Sequence, residues 1–139
     1  METIKKIKVS TTVNAPIDKV WNYWNQPEHI TQWYQASEDW HAPKAENDLR
    51  EGGKFSTTMA AKDGSMSFDF EGTYNTVVPN ETINFTIADN RKVWIEFKDN
   101  GDNVEIEETF ELEATHPEEM QRGGWQAILD NFKKYAESN

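Results

Sequence analysis

The sequence predicts an α+β fold in which a curved antiparallel sheet of about six or seven strands wraps around a long C-terminal helix, with two short helices after the first strand. In the segment His116–Asn139, apolar residues from Trp125 onward recur at steps of three and four, as they do on one face of a helix. Between residues 48 and 113, apolar and polar residues alternate in segments that are separated by short turn signals. Alternation predicts strands with one covered face, and the C-terminal helix is the one predicted element long enough to cover it. We therefore interpret residues 1–139 as a single domain.

The N-terminal part of the chain predicts one strand followed by two helices. Residues Ile4–Val13 alternate, which indicates a half-buried strand. Pro16 fits a first helical turn, and apolar residues then follow at helical spacing: Ile17, Val20, Trp21 and Trp24. Pro27 ends this helix and opens a second one, whose apolar side holds Ile30, Trp33 and Tyr34.

The middle of the chain predicts an irregular segment and then a meander of strands. The irregular segment is Gln35–Lys44, and a short strand at Asp48–Arg50 follows it. Asn100-Gly101 predicts a hairpin, because this pair accepts positive φ. The alternating apolar positions of the later strands are Phe55, Thr57 and Met59; Met66, Phe68, Phe70, Gly72 and Tyr74; Ile83, Phe85 and Ile87; Val93, Ile95 and Phe97; and Val104, Ile106, Phe110 and Leu112.

Composition excludes several classes of function. The chain has 14 basic and 25 acidic residues, a formal charge of −11, which disfavours nucleic acid and anionic membranes as partners. It has no cysteine, and its three histidines share no metal-binding spacing, so we predict neither a metal site nor a cofactor. The N-terminus has no apolar core of signal-peptide length and no run approaches transmembrane length, so we expect a cytoplasmic protein without membrane insertion.

Several motifs occur in an order that resembles a known superfamily. They are Asn14–Trp21, Pro27–Tyr34, Asp48–Phe55, Gly72–Tyr74 with Val77–Glu81, and Gly123–Trp125 followed by Leu129. In this order they resemble the START-like (Bet v1-like, SRPBCC) helix-grip superfamily, and more narrowly the branch related to the C-terminal domain of the Hsp90 ATPase activator Aha1. The resemblance implies a curved sheet that grips the last helix. It implies no single activity, because this fold serves lipid carriers, hormone receptors, cyclases and co-chaperones.

Glu108 is the unusual residue of the last predicted strand. It lies among inward-facing apolar positions, where a carboxyl group has a raised pKa and can contact a ligand or act as a base. Alternatively, it pairs with a buried arginine such as Arg50 or Arg122, or a β-bulge turns it outward. The remaining acids of this segment alternate on the opposite face and are predicted to form a solvated sheet edge: Glu105, Glu107, Glu111 and Glu113.

Aromatic residues are abundant enough to line a cavity between the last helix and the sheet. The predicted wall residues are Trp33, Trp40, Phe55, Phe68, Phe110 and Trp125. These rings are equally suited to filling a core, and Trp94 is predicted to point outward because Val93 and Ile95 face inward.

Smaller or polar residues complete the predicted site. The pair Gly123-Gly124 indicates room for a ligand beside Gly124, a kink of the helix at the pocket mouth, or a close approach of the helix to the sheet. His41 and Tyr74 are candidates to orient the polar end of a ligand, although a loop histidine such as His41 is commonly solvated.

Three functions are compatible with these observations. The first is a binding domain for a small hydrophobic or aromatic molecule, oriented by Glu108. The second is a protein-interaction module that contacts a chaperone through its acidic outer surface. The third is an enzyme with Glu108 as general base, ranked last because no partner nucleophile or metal site is visible. A side-chain-filled interior would favour the second function, and an open cavity bordered by Glu108 or His41 would favour the first or third.

Overall fold

The computed structural model describes residues 5–35, 37–113 and 116–139. Its elements, in chain order, are β1 (Lys6–Val13), α1 (Ile17–Asn25), α2 (Pro27–Trp33), β2 (Trp40–Asn47), β3 (Lys54–Ala61), β4 (Ser67–Val78), β5 (Thr82–Ile87), β6 (Lys92–Asp99), β7 (Val104–Glu111) and α3 (Glu118–Ser138). In the described residues the strands form one seven-stranded antiparallel sheet in the order β1-β7-β6-β5-β4-β3-β2. The predicted α+β architecture, with a long final helix and two short helices after the first strand, is confirmed.

The strand register follows from short turns and from the return of β1 to the far end of the meander. Strands β2 to β7 pair with their sequence neighbours, and β1 pairs with β7 so that Val9 lies opposite Glu108. Gly101, in the hairpin between β6 and β7, has φ +91°, a conformation that an L-residue rarely adopts. The predicted Asn-Gly turn is therefore confirmed. Ile4, the first residue of the predicted first strand, lies outside the described residues.

The prediction of an irregular segment before Lys44 is wrong, because β2 begins at Trp40. Pro43 conceals this strand in the sequence, since proline has no N–H to donate to a ladder and normally argues against a strand. The structure accommodates it at the sheet edge, where the register with β3 shifts between His41 and Lys44. The predicted strand at Asp48–Arg50 is also wrong: there the backbone turns, and the Arg50 N–H donates to the Asp48 carbonyl at 2.9 Å.

The core lies between the concave face of the sheet and the three helices. Phe132 of α3 is fully buried, and Trp24 of α1 and Trp33 of α2 each pack edge-on against its ring with centroids 4.8 Å apart. The two short helices thus fill one end of the concave face, and α3 crosses the rest. Met66, just before β4, and Phe68, on β4, remain exposed.

The prediction that the outer-face acids of β7 form a sheet edge is wrong, because β7 lies between β1 and β6. Glu107 pairs with Lys8 at 3.6 Å and with Lys98 at 3.3 Å. Glu111 is buried and accepts a hydrogen bond from the Lys92 backbone N–H at 2.7 Å. These carboxylates serve cross-strand pairing rather than solvation.

The free edge of β1 is covered by side chains of α3. Gln126 Nε2 donates to the Ser10 carbonyl at 3.1 Å, and Lys133 Nζ donates to the Thr12 carbonyl at 2.7 Å. These bonds satisfy backbone groups that an edge strand would otherwise expose. Among the described helices, none is long and apolar enough to cross a membrane.

Candidate functional site

Two spaces border the concave face of the sheet, one beneath α3 and the other beneath α1 and α2. The larger, here called the groove, has a volume of about 340 Å³ and lies between the N-terminal half of α3 and the ends of β3 and β4. Its lining is mostly aromatic and apolar: Tyr34, Met59, Phe68, Phe70, Arg91, Glu113, His116, Met120, Gln121, Gly124, Trp125 and Ile128. The smaller, here called the inner cavity, has a volume of about 40 Å³ and is bordered by Glu108, Tyr74, Trp33, Phe55 and, again, Tyr34.

A larger depression of about 580 Å³ is unsuited to a hydrophobic ligand. It is lined mainly by charged and polar side chains of β2 to β5, including Glu46, Lys54 and Glu71. Binding sites for small molecules are predominantly apolar with few polar groups, which fits the groove and not this surface. We therefore take the groove and the inner cavity as the candidate site.

Trp125 forms one wall of the groove and joins α3 to the sheet. Its indole ring is stacked on Phe110 of β7, with centroids 4.3 Å apart and planes at 8°. Phe70 of β4 meets the same indole edge-on at 6.1 Å. Trp125 therefore presents a flat aromatic surface whose position is fixed by rings on two strands.

Gly124 leaves open space beside this wall. A Cβ atom added to Gly123 or to Gly124 would meet no atom of the described residues within 4 Å, apart from chain neighbours and nearby helix backbone. The alternative expectation, that the glycine pair allows α3 to approach the sheet closely, is therefore wrong. Because Gly124 borders the groove, its missing side chain enlarges the groove.

Glu108 faces the interior without a partner. It is 6 % exposed, and β7 keeps an unbroken register with β1 and β6 around it, so no β-bulge turns it outward. Arg50 pairs with Asp48 at 2.9 Å and Arg122 with Glu118 at 3.6 Å, so neither predicted arginine reaches it. Within the described ranges its carboxyl group has no hydrogen bond or ion pair, and burial raises its pKa to about 8.

Tyr34 is one of the lining residues that sequence reasoning missed. It follows α2, where its N–H donates to the Ile30 carbonyl at 3.1 Å, and its side chain borders both the groove and the inner cavity. Burial, together with the nearby Glu108 and Tyr74, raises the pKa of its hydroxyl group. Its place in an apolar helical stripe suggested a core residue, and only the tertiary structure shows that it separates the two spaces.

Tyr74 is held by a chain of hydrogen bonds at the edge of the inner cavity. Its hydroxyl group donates to Asn47 Oδ1 at 2.5 Å, and Asn47 Nδ2 donates to the Asn25 carbonyl at 2.7 Å. Burial raises the pKa of Tyr74, although the hydrogen bond that Tyr74 donates to Asn47 acts in the opposite direction. The Tyr74 hydroxyl group is therefore neutral and already committed to a protein acceptor.

The predicted site residues fall into two groups rather than one. Trp33, Phe55, Tyr74 and Glu108 border the inner cavity, whereas Phe68, Gly124 and Trp125 border the groove, with Phe110 beneath Trp125. Trp40 borders neither space and packs against Phe68 with ring centroids 5.9 Å apart. His41 is exposed on β2 and also borders neither space.

The charged groups of the groove already have partners. Arg91 Nε donates to Asp89 Oδ2 at 2.8 Å. Glu113 accepts a hydrogen bond from the His116 backbone N–H at 2.9 Å and also contacts the His116 ring. No cluster of three or more potential metal ligands occurs in the described part of the chain.

Comparison with known proteins places this arrangement in context. The profile of the family described as "Activator of Hsp90 ATPase homolog 1-like protein" matches residues 14–137. No curated protein matches the sequence. A solution structure of a protein from Cytophaga hutchinsonii is 58% identical, with a TM-score of 0.83, over 96% of this chain and 93% of that one.

Two further solved structures are similar. The AHSA1-like protein from Aeromonas hydrophila is 41% identical, with a TM-score of 0.90, over 96% of this chain and 93% of that one. A protein from Nitrosomonas europaea is 16% identical, with a TM-score of 0.84, over 99% of this chain and 97% of that one. At that identity the likeness concerns the fold alone.

Proposed function

The chain belongs to the family of activator of Hsp90 ATPase homolog 1-like proteins, and within that family we propose that it binds a small hydrophobic or aromatic molecule in the groove between α3 and the sheet. The observation that carries this proposal is the groove itself. Its volume of about 340 Å³ lies near the lower end of the range of about 300–1,000 Å³ that is typical of small-molecule sites. Its walls are aromatic and sulfur-containing side chains, which suit an apolar ligand without demanding one shape.

The groove rather than the inner cavity accommodates the body of the ligand. The inner cavity, at about 40 Å³, exceeds the roughly 10–15 Å³ that one water-sized group needs but is far too small for a ring. In the groove, a planar ligand gains contact with the exposed face of Trp125, whose other face is stacked on Phe110. Because Phe110 and Phe70 already fix the indole, ligand binding loses little side-chain entropy at Trp125.

Native mass spectrometry tests the proposal directly. The purified protein is measured before and after exposure to a lipid and metabolite extract of its host, and a discrete adduct that disappears on denaturation is expected. Trp125→Ala removes the stacking surface and should weaken the adduct. Trp94→Ala is the matched control, because Trp94 lies on β6 outside the groove and under the Lys6 ammonium group, 4.5 Å from the ring centroid. A clean apo mass throughout would overturn the proposal.

A second candidate function is a protein-interaction module that resembles Hsp90 co-chaperones. It is favoured by the filled interior, where about 40 Å³ remains open beside Glu108, and by exposed apolar side chains near the groove: Met66, Phe68 and Met120. Titration of labelled protein with purified Hsp90 tests it, with Met120→Ser and Phe68→Ser as interface variants. If these substitutions leave the complex unchanged, the apolar mouth of the groove is not the interface.

An enzymatic role for Glu108 has the weakest support. A carboxyl group whose pKa is raised to about 8 is mostly protonated near neutral pH and is a poor base there. In the described residues, no cluster of potential metal ligands accompanies it.

A further inference from the structure

We propose that the ligand is a hydrophobic amine, with its apolar body on Trp125 in the groove and its ammonium group beside Glu108 in the inner cavity. This inference rests on the proposed function and specifies the chemical class of the ligand. Its geometric basis is the inward-facing carboxyl group of Glu108, which has no partner among the described residues and lies two positions along β7 from Phe110, the residue that supports the groove wall.

The first step is the missing partner of Glu108. A buried carboxyl group takes its charged form only when a cation or several hydrogen-bond donors compensate for lost hydration, and otherwise stays neutral. Arg50 and Arg122 are both exposed and engaged with other acids, and the Tyr74 hydroxyl group is committed to Asn47. Because no described residue supplies the compensating cation, a ligand is the available source.

The second step is the path from groove to carboxyl group. Phe110 and Glu108 are two positions apart on the same face of β7, which separates their Cα atoms by about 7 Å. Phe110 supports the indole of Trp125, which forms one wall of the groove. Glu108 is the next residue along β7 that faces the same way. Tyr34 borders both spaces, and a narrow alkyl chain must pass its ring to connect them.

The third step is the size and lining of the inner cavity. At about 40 Å³ it accommodates one ammonium-sized group and no ring. Aromatic rings of Tyr34, Trp33 and Tyr74 border it, and their faces attract cations once water is excluded. The formal charge of −11 also favours the approach of cationic rather than anionic ligands.

An acidic ligand fits the same site poorly. Its carboxylate would lie beside the carboxyl group of Glu108 in the inner cavity, where two acids cannot both be ionised, so the pair gains no compensating charge. At the groove, Arg91 is already paired with Asp89. The inner cavity therefore favours a ligand with a cationic end group over one with an anionic end group.

The test uses three probes that share one phenylpropyl framework and differ in the terminal group: phenylpropylamine, phenylpropanol and phenylpropionate. Isothermal titration calorimetry with the full chain at slightly alkaline pH should give an amine affinity about tenfold above that of the alcohol, as expected for a charge-assisted hydrogen bond. The acid should bind more weakly than the alcohol. Glu108→Gln should make amine and alcohol bind equally, whereas Glu105→Gln, the same change on the opposite face of β7, should preserve the preference.

Each outcome bears on the inference. If the alcohol or the acid binds as well as the amine, the amine assignment is overturned while the binding function stands. If none of the probes binds, the amine assignment is also overturned, and native mass spectrometry decides separately whether any ligand is held. The ranking of the three probes by the unaltered protein suffices even if Glu108→Gln fails to fold.

Discussion

The indole ring of Trp125 lies parallel to the ring of Phe110, with centroids 4.3 Å apart. This stack joins the long helix to the seventh strand and forms one wall of the groove. Because both rings lose water contact on stacking, it contributes to stability as well as to ligand binding.

Replacing Trp125 by alanine should therefore lower both properties. We expect the free energy of unfolding to fall by about 2–3 kcal/mol, less than for a fully buried tryptophan, because one side of the ring faces the groove. Urea denaturation followed by circular dichroism measures this change. Ligand affinity, measured below the transition, should fall at least about tenfold, and Trp94→Ala should leave ligand affinity unchanged. Equal losses of affinity in the two variants would contradict the assignment of Trp125 to the site.

Substitutions of the glycine pair separate helix stability from groove volume. Gly124→Ala and Gly123→Ala should each raise the free energy of unfolding by about 0.5–1 kcal/mol, since alanine is the better helix former and meets open space at both positions. Thermal denaturation measures the gain.

Larger side chains at the same two positions should differ in their effect on binding. Gly124→Leu fills the groove and should abolish the native adduct, while Gly123→Leu, one residue away on the exposed side of α3, should retain it. Native mass spectrometry compares the two variants. An adduct that survives Gly124→Leu unchanged would place the ligand outside the groove.

Glu108 should make the protein less stable as the pH rises. In the folded chain its pKa is raised from the usual 4.5 to about 8, so the folded state holds a proton that the unfolded state releases. The free energy of unfolding should consequently fall between about pH 4.5 and pH 8, by at most about 1.4 kcal/mol per pH unit. Urea titrations of Glu108→Gln and the unaltered protein across this range measure the difference. A constant difference between the two proteins would show that Glu108 ionises as freely in the folded state as in the unfolded one.

Amine binding should release a proton near neutral pH. The carboxyl group is protonated in the free protein below about pH 8, and an ammonium partner favours its ionised form. The other titratable groups that border the inner cavity are Tyr34, Tyr74 and the exposed Glu46; the two tyrosines have raised pKa values and remain neutral.

The affinity for phenylpropylamine should therefore increase from pH 6 to pH 8, by at most about tenfold per pH unit. Calorimetry in two buffers of different ionisation enthalpy should report the released proton, and Glu108→Gln should remove both effects. An affinity that is independent of pH in the unaltered protein would contradict the proposed contact.

The sequence was informative wherever a regular period decides which way a side chain points. Alternation along β7 placed Glu108 on the inner face because a strand has a period of two, and the structure confirms this orientation. The same reasoning failed at β2, where Pro43 and a register shift interrupt the pattern.

The division of the site into two spaces was not predictable from periodicity. It depends on where α3 crosses the sheet, on the ring of Tyr34 between the spaces, and on Arg91 and His116, which loops bring to the groove. These placements are tertiary, and no local pattern in the sequence encodes them.

The pairing of β1 with β7 has a consequence for the order of folding. Lys6 lies opposite Glu111, so the first strand of the sheet has no neighbour until β7 has been synthesised. Loop closure over such a separation is entropically costly and slow, whereas the hairpins from β2 to β7 form between close sequence neighbours. We therefore expect the hairpin meander to assemble first on the ribosome. Strand β1 should add late, when side chains of α3 can donate hydrogen bonds to its edge.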